Sequence, residues 1–382
     1  MMCSFLYLSH RSAIMFPKQK KVYRYFCVLL FLIVVNFSFW SIRYFHFNQT
    51  NFINFFYFLN NLSSFFLGFY LFLISCFLFV DFILFLKFVF LKIKNKIFER
   101  QENINLKKRQ FFYYFSCGTA AGLSTYAFYN AQKSPPLKKT IVPITDLHLD
   151  LENFNIVQLT DFHIGQSIGL KYVEDVVAKV NELNADLVVI TGDLIDGFVS
   201  NLKNLVQPLK NIKSKYGICY VTGNHEYYWN VQEWTSYLQQ LGFFYLENSH
   251  KMIQVKNASV LIGGTIDLSA QYLHKTHRTD VLKTIAHAPQ NPQLKILLAH
   301  QPHTAFQAAA LNYFHLQISG HTHGGQMWPG TWLVHLFQYF RPGLTLYKKM
   351  WVYVSTGTGY WGPPARLGTS SEITQLILKK KI

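Results

Sequence analysis

Thiols are scarce in this chain of 382 residues. Five cysteines stand at positions 3, 27, 76, 117 and 219, an odd number, four of them in or near apolar segments and no two at zinc-ligand spacing. Neither a disulfide framework nor a thiolate metal site is expected from them. Acid is the next scarcity, with 19 Asp and Glu against 36 Lys and Arg and a formal net charge of +17. Such an excess can mark a nucleic-acid partner, but its distribution argues against one. Residues 1–140 hold 17 basic and 3 acidic side chains, a net of +14, while the remaining 242 hold 19 and 16, a net of +3. The basic residues alternate with Phe- and Leu-rich runs, as membrane-flanking charge does, so no nucleic acid is expected. Internal repeats and long low-complexity tracts are also lacking, which sets repeat architectures aside.

What the chain has in quantity is apolar sequence near its start. Tyr25–Ile42 is uncharged and follows Lys18, Lys20, Lys21 and Arg24; at about 18 residues it is at the short end for a bilayer crossing. Phe65–Leu91 is longer, is broken by Asp81 and Lys87, and ends in Lys92, Lys94, Lys96 and Arg100. Phe111–Asn130 follows Lys107, Lys108 and Arg109 and is uncharged, though it holds Ser, Gly and Thr. A cleaved signal peptide would explain the first run and not the second. The expectation is a membrane region over residues 1–130 with about three transmembrane helices, at 25–42, 65–91 and 111–130. The positive-inside rule sets both basic clusters in the cytoplasm. Three crossings of the cytoplasmic (inner) membrane then leave everything after residue 131 extracytoplasmic; two short spans within Phe52–Leu91 would reverse that. Asp81 either marks a functional site in the membrane, or lies near an interface or pairs locally, with Lys87 snorkelling.

Ala131–Lys139 (AQKSPPLKK) reads as a linker, because Pro135 and Pro136 stop any helix. Residues 131–150 lead into a domain at 151–382 with the composition of a soluble α/β protein. Strand-like runs occur at Asn155–Leu159, Leu187–Thr191, Ile218–Val221, Val260–Gly263, Lys295–Ala299, Leu316–Ser319 and Trp351–Ser355. Helical patterns lie between several of them, at Tyr172–Leu183, Leu202–Lys213, Val231–Leu241 and Thr304–Leu311. The alternation predicts a layered α/β architecture.

Nearly every informative polar residue falls just after one of these strands: Asp161 and His163, Gly192 and Asp193, Gly223 to Glu226, His300, His321 and His323. Loops at the C-terminal edges of adjacent strands converge even when far apart in sequence. A lone strand-end Asp is more often a helix cap, and a lone His more often an ordinary polar residue. Five strand ends, each with a metal-type ligand, argue for a shared site. The donors are oxygen and imidazole nitrogen, which suits Mn, Fe, Zn or Co better than Ca or Mg. His274, His277, His287, His303, His315 and His335 lack such a context. Tyr227, Tyr228 and Trp229 either line a substrate pocket or pack.

The series Asp161-Phe-His163, Gly192-Asp193, Gly223-Asn-His-Glu226, His300, Gly320-His-Thr-His323 resembles the calcineurin-like metallophosphoesterase superfamily, its signature blocks in order. The Gly-Gly-Gln that follows, with Gly357–Ile373 (GTGYWGPPARLGTSSEI), resembles the bacterial membrane-associated branch. The resemblance implies a two-sheet β-sandwich flanked by helices, with two divalent metal ions (Mn, Fe or Zn) at the strand ends. Asp161, His163, Asp193 and His323 would hold one ion. Asp193 would bridge to a second, completed by Asn224, His300 and His321. His225 would face the substrate phosphate. On that resemblance, ions so placed would lower the pKa of a bridging water enough for the hydroxide to attack phosphorus in line, while His225, as imidazolium, would stabilise or protonate the leaving oxygen. Asp196 and Glu226 either orient ligands or His225, or cap turns.

The function expected is that of a membrane-anchored phosphoesterase acting on a phosphoester or pyrophosphate bond of a small-molecule or lipid-linked substrate, such as UDP-diacylglucosamine. That substrate requires a cytoplasm-facing domain, against the topology above, so the two expectations test each other. The alternative is a non-catalytic metal-binding membrane sensor or scaffold, which predicts a missing ligand or an altered His225. A transport unit would need more intramembrane charge than Asp81 and Lys87 supply. No protein partner is inferred.

Overall fold

The structure, a computed structural model, describes residues 2–44, 53–98, 106–165, 167–289 and 291–381. The chain forms two compact units, Met1–Tyr129 with the short segment Gly362–Ala365, and Asn130–Trp361 with Arg366–Ile382.

Helices Met2–Met15, Lys21–Tyr44, Ile53–Phe98 and Leu106–Gln132 carry the N-terminal region. The three apolar runs fall within the last three; Met2–Met15 is a helix that no apolar run announces. Ile53–Phe98 is unbroken, about 69 Å long at 1.5 Å per residue, so the residues described after Phe52 do not divide into two helices. Its stretch Phe58–Ile93 is long and apolar enough to cross a membrane. Asp81 pairs with side chains of other helices: it accepts hydrogen bonds from Tyr7 (2.5 Å), Arg11 (2.6 Å) and Tyr113 (2.6 Å). A carboxylate on an apolar helix is tolerated when its charge is met in this way.

The second unit holds twelve strands among the described residues: β1 (Leu137–Ile144), β2 (Asn155–Leu159), β3 (Leu187–Thr191), β4 (Ile218–Val221), β5 (Phe244–Tyr245), β6 (Ser249–Val255), β7 (Ala258–Gly264), β8 (Leu294–Leu298), β9 (Leu316–Ser319), β10 (Gly343–Tyr347), β11 (Met350–Val354) and β12 (Ile373–Lys380). They form two six-stranded sheets, ordered β1-β12-β2-β3-β4-β5 and β10-β11-β9-β8-β7-β6. β2 to β5 run parallel, as do β7, β8, β9 and β11, with antiparallel partners toward the margins.

The period-two alternation of strand side chains explains the layering. Leu187 and Val189 of β3, Cys219 and Val221 of β4, and Leu316 and Ile318 of β9 meet in one core between the sheets. Val188 and Ile190, one residue out of phase, face the other way and pack on Val173, Val176, Val177 and Val180 of helix Leu170–Glu182. On the second sheet, Leu297 and Val352 pack on Ala305 and Ala308 of helix Thr304–Ala310. The α/β sandwich of two helix-flanked sheets is therefore the observed architecture.

The linker needs correction. Strand β1 occupies Leu137–Ile144 and pairs in parallel with β12 from Leu137 beside Ile373 onward, which leaves Lys133–Pro136 between the last N-terminal helix and the sheet. Pro135 and Pro136 do end the helix, but a strand begins directly after them; its Lys138 meets Glu372 at 3.1 Å, and β1 is an edge strand, where charge is ordinary. The pattern Leu202–Lys213 is likewise split into a helix, Val199–Val206, and a 3-10 turn, Gln207–Asn211, carrying Pro208.

Candidate metal centre

Strands β2, β3 and β4 are parallel neighbours in one sheet and β8 and β9 in the other, so their C-terminal ends deliver five loops to one place. Three groups of side chains result whose ligand atoms lie within 4.8 Å of one another: Asp161, His163 and His323; His163, Asp193 and His225; Asp193, His300 and His321. Asp193 and His163 each belong to two of them, and Asp193 links the His163 group to the His300 group. His163 Nε2 is 3.0 Å from His323 Nε2, His323 Nε2 is 3.4 Å from Asp161, and His300 Nε2 is 3.1 Å from both Asp193 and His321 Nδ1.

Second partners decide which ring nitrogen faces the centre. His300 Nδ1 donates to the Thr191 carbonyl at 2.8 Å, and His163 Nδ1 donates to the Asp196 carboxylate at 3.0 Å. Each leaves Nε2 with a free lone pair toward the cluster. Asn224 opens the short helix Asn224–Tyr228, and its Oδ1 is buried without a hydrogen-bond partner. An orphaned buried oxygen costs about 1–3 kcal/mol, and a bound cation would meet it. The donor set of carboxylates, imidazoles and one amide oxygen fits divalent metal ions.

The backbone is bent to this purpose. Asp161, His163, Asp193, His321 and His323 all have φ between 49° and 71°, a region costing side-chain-bearing residues of order 1–3 kcal/mol each. Neighbouring loops hold them there, through Asp161 N–H to the Gly192 carbonyl (3.0 Å), His163 N–H to the Asp193 carbonyl (3.1 Å) and Gly359 N–H to the Asp161 carbonyl (3.1 Å). Gly192 has φ +88°, and a Cβ there would stand 2.5 Å from Gly223 N and 2.8 Å from His300 Nδ1. Glu226, fully buried, accepts from the N–H groups of Asp193 (3.1 Å), Leu194 (2.8 Å) and Gly223 (2.6 Å) and so ties the β3 loop to the β4 loop.

Charge is concentrated here. Burial would raise the Asp193 carboxyl, but His300, His225 and His163 outweigh it and hold it well below the usual range. Burial lowers His225, but Asp193 and Asp196 outweigh that and push it up to about 9. Burial and then the neighbouring histidines keep His321 and His323 below the ordinary imidazole value, hence neutral. Burial and Asp193 together push Glu226 up to about 7, against the pull of its N–H donors.

Asp196 lies beside the cluster rather than in it, hydrogen-bonded to His163, to His225 Nδ1 and to Trp229 Nε1 (3.3 Å). Tyr228 and Trp361 stand around the His225 ring, at 5.0 and 6.0 Å between centroids. Tyr227 instead reaches His277 Nδ1 at 2.9 Å. The residue that the sequence does not expose is Arg366. It is 1% exposed and donates to the carbonyls of His323 (2.9 Å), Thr356 (2.8 Å) and Gly359. A single Arg among small and apolar residues in GPPARLG is the signal that could have found it.

Residues 141–325 match the sequence profile of the calcineurin-like phosphoesterases. A transmembrane protein with metallophosphoesterase domain from Danio rerio is 38% identical over 267 residues, 68% of this chain and 61% of that protein. An uncharacterised metallophosphoesterase of Campylobacter jejuni is 37% identical over 273 residues, 68% of each. One of Aquifex aeolicus is 31% identical over 228 residues, 59% of this chain and 85% of that protein. The match thus spans about three fifths of the Danio rerio relative, and more of the bacterial ones. Because the profile covers the same strand-end loops that converge on Asp193, this chain belongs to the calcineurin-like phosphoesterase family.

Proposed function

We propose that the chain is a membrane-anchored, metal-dependent phosphoesterase working with two divalent ions. Asp161, His163, Asp193 and His323 would hold one ion; Asp193, Asn224, His300 and His321 would hold the other. The observation that carries this reading is that Asp193 joins the group holding His163 to the group holding His300 and His321, supported by the orphaned Asn224 oxygen. When bound, such ions polarise phosphoryl oxygens and lower the pKa of water enough for attack near neutral pH.

The chain's own residues do the rest. Asp161 and Asp193 supply the fixed negative charge, and the hydrogen bonds on His163 and His300 aim their lone pairs. His225 also falls within ligand distance, but the Asp196 carboxylate on its Nδ1 supports a doubly protonated ring whose Nε2 donates. It therefore serves as the acid that stabilises or protonates the leaving oxygen through Nε2. Tyr228 and Trp361 flank that ring.

The substrate class is a phosphorylated small molecule. More finely, the apolar stretch Phe58–Ile93 favours a lipid-linked phosphoester or pyrophosphate, and the positive-inside count favours a domain outside the cytoplasm. UDP-diacylglucosamine fits the first and conflicts with the second. A reporter fused after Ile382 that is active only in the cytoplasm would overturn the exported arrangement and leave that substrate standing.

The test of the activity is hydrolysis of bis(p-nitrophenyl) phosphate and p-nitrophenyl phosphate by purified full-length protein with Mn²⁺. Turnover should require metal and vanish, together with bound metal, in Asp193→Ala. His225→Ala should retain metal and lose turnover by about 10²–10⁴-fold. Loss of metal in His225→Ala would make His225 a ligand and overturn its assigned role.

A further inference from the structure

An eight-residue helix, Gly330–Phe337 (GTWLVHLF), follows the His321–His323 loop, and none of its residues is buried. Trp332 and Leu336 are 60% exposed and Phe337 is 76% exposed, with exposed Trp328 and Tyr339 at its two ends. A surface helix of a water-soluble domain hides its apolar stripe against a core. This one buries none of its apolar residues, with Trp332, Leu333, Leu336 and Phe337 exposed, and contiguous apolar exposure marks an interaction surface. The helix is nevertheless held in place. Its first residue, Gly330, lies so close to Gly325 that no Cβ fits between their backbones. Trp328 N–H donates to the Leu367 carbonyl at 3.0 Å, and Gln326 exchanges two 2.8 Å hydrogen bonds with the backbone of Trp361.

Charge and tether identify the occupant. No Asp or Glu occurs from Val281 through Ser371. Exposed Arg341, Lys348 and Lys349 lie beyond the helix's C-terminal end, and rings join them to it: Tyr339 packs 5.6 Å from Tyr347, and the Lys348 ammonium lies 5.8 Å from the Tyr347 ring. Tryptophan, tyrosine and aliphatic side chains bordered by cations, with no acid, are the composition of a bilayer interface. The same chain carries a helix able to cross a membrane, and the segment Lys133–Pro136 is all that separates the N-terminal helices from β1. A bilayer is thus present at high effective concentration by covalent connection alone.

We propose that Gly330–Phe337 docks on the bilayer surface, its apolar side chains among the headgroups and Arg341, Lys348 and Lys349 on anionic lipid. Docking brings the His321–His323 loop to the headgroup layer. The proposal deepens the lipid-linked reading above, but docking itself does not require hydrolysis.

The test uses full-length protein in nanodiscs of phosphatidylglycerol and phosphatidylcholine, with acyl chains brominated near the headgroup or unbrominated. The emission of Trp332 is read as the difference between wild type and Trp332→Phe. That difference should lose intensity in brominated discs, because an interfacial helix seats its Trp at the headgroup–acyl boundary, and the double variant Lys348→Glu, Lys349→Glu should reduce the loss. Equal emission in both kinds of disc overturns the proposal, whether Trp332 faces water, a second copy or another protein. Trp332 lies outside the metal centre, so Trp332→Phe should hydrolyse a soluble ester as wild type does. If neither protein shows turnover, the hydrolase reading fails while the quenching still decides the docking.

Discussion

Asp196 shows how much one residue does without being assigned to an ion. Its carboxylate receives His163, His225 and Trp229. Burial would raise it, but His163 and His225 outweigh burial and keep it well below its ordinary value. Removing that charge leaves two imidazoles unoriented, and Asp196→Asn should lower metal affinity or turnover about 10–100-fold. Equilibrium dialysis against Mn²⁺ checks the first and ester hydrolysis the second; wild-type values in both would refute the orienting role. His225 has a pH signature in metal-free protein. Its folded pKa, about 9, lies above its unfolded value of 6.5, so the stability it contributes is complete below 6.5 and is lost as pH rises through 9. The gap in melting temperature between wild type and His225→Ala, in chelator, should therefore be widest in mildly acidic solution and shrink on the alkaline side. A gap that widens there would show that the imidazolium is not what the fold stabilises.

Among elements, the loop between β11 and β12 is the unexpected contributor. It lies more than thirty residues beyond the last ligand block, yet Arg366 within it clamps the carbonyl of His323 and two of its own loop's carbonyls. A lysine is a point charge and cannot reproduce the fork. Arg366→Lys should release the His323 loop and lower metal affinity about 10–100-fold, measured as metal retained after dialysis; unchanged retention would reduce Arg366 to packing. Gly192 acts at the turn after β3, where a side chain would strike Gly223 and His300. Gly192→Ala should cost about 1–3 kcal/mol by crowding and lower the melting temperature even in chelator; an unchanged melt would mean that the turn can open. The strands feeding these loops are plain in the sequence because their residues are buried on both faces. β1, β6 and β10 are not, because edge strands carry charged and polar residues and lose the apolar signal.

At the scale of the molecule, the candidate metal centre gathers histidines and carboxylates with strained backbones, and cations bound there would stabilise the fold by mass action. EDTA should lower the melting temperature of wild type, with Mn²⁺ restoring it in a concentration-dependent way, and should leave Asp193→Ala unmoved. A wild-type melt indifferent to EDTA would argue that the loops are held without metal. The residue types and their strand-end positions were legible in the sequence, because ligand chemistry admits few side chains and turns near metals require glycine. The apolar runs and their basic flanks were legible for the same kind of reason, since each is a local property of consecutive residues. Only the tertiary structure decided that the linker's lysines belong to a strand, that Asp81 finds Tyr7, Arg11 and Tyr113, and that Arg366 holds His323. It alone also showed that Gly330–Phe337 lies uncovered. These are pairings between distant segments, or the lack of one, and packing sets them where no local pattern records the partner.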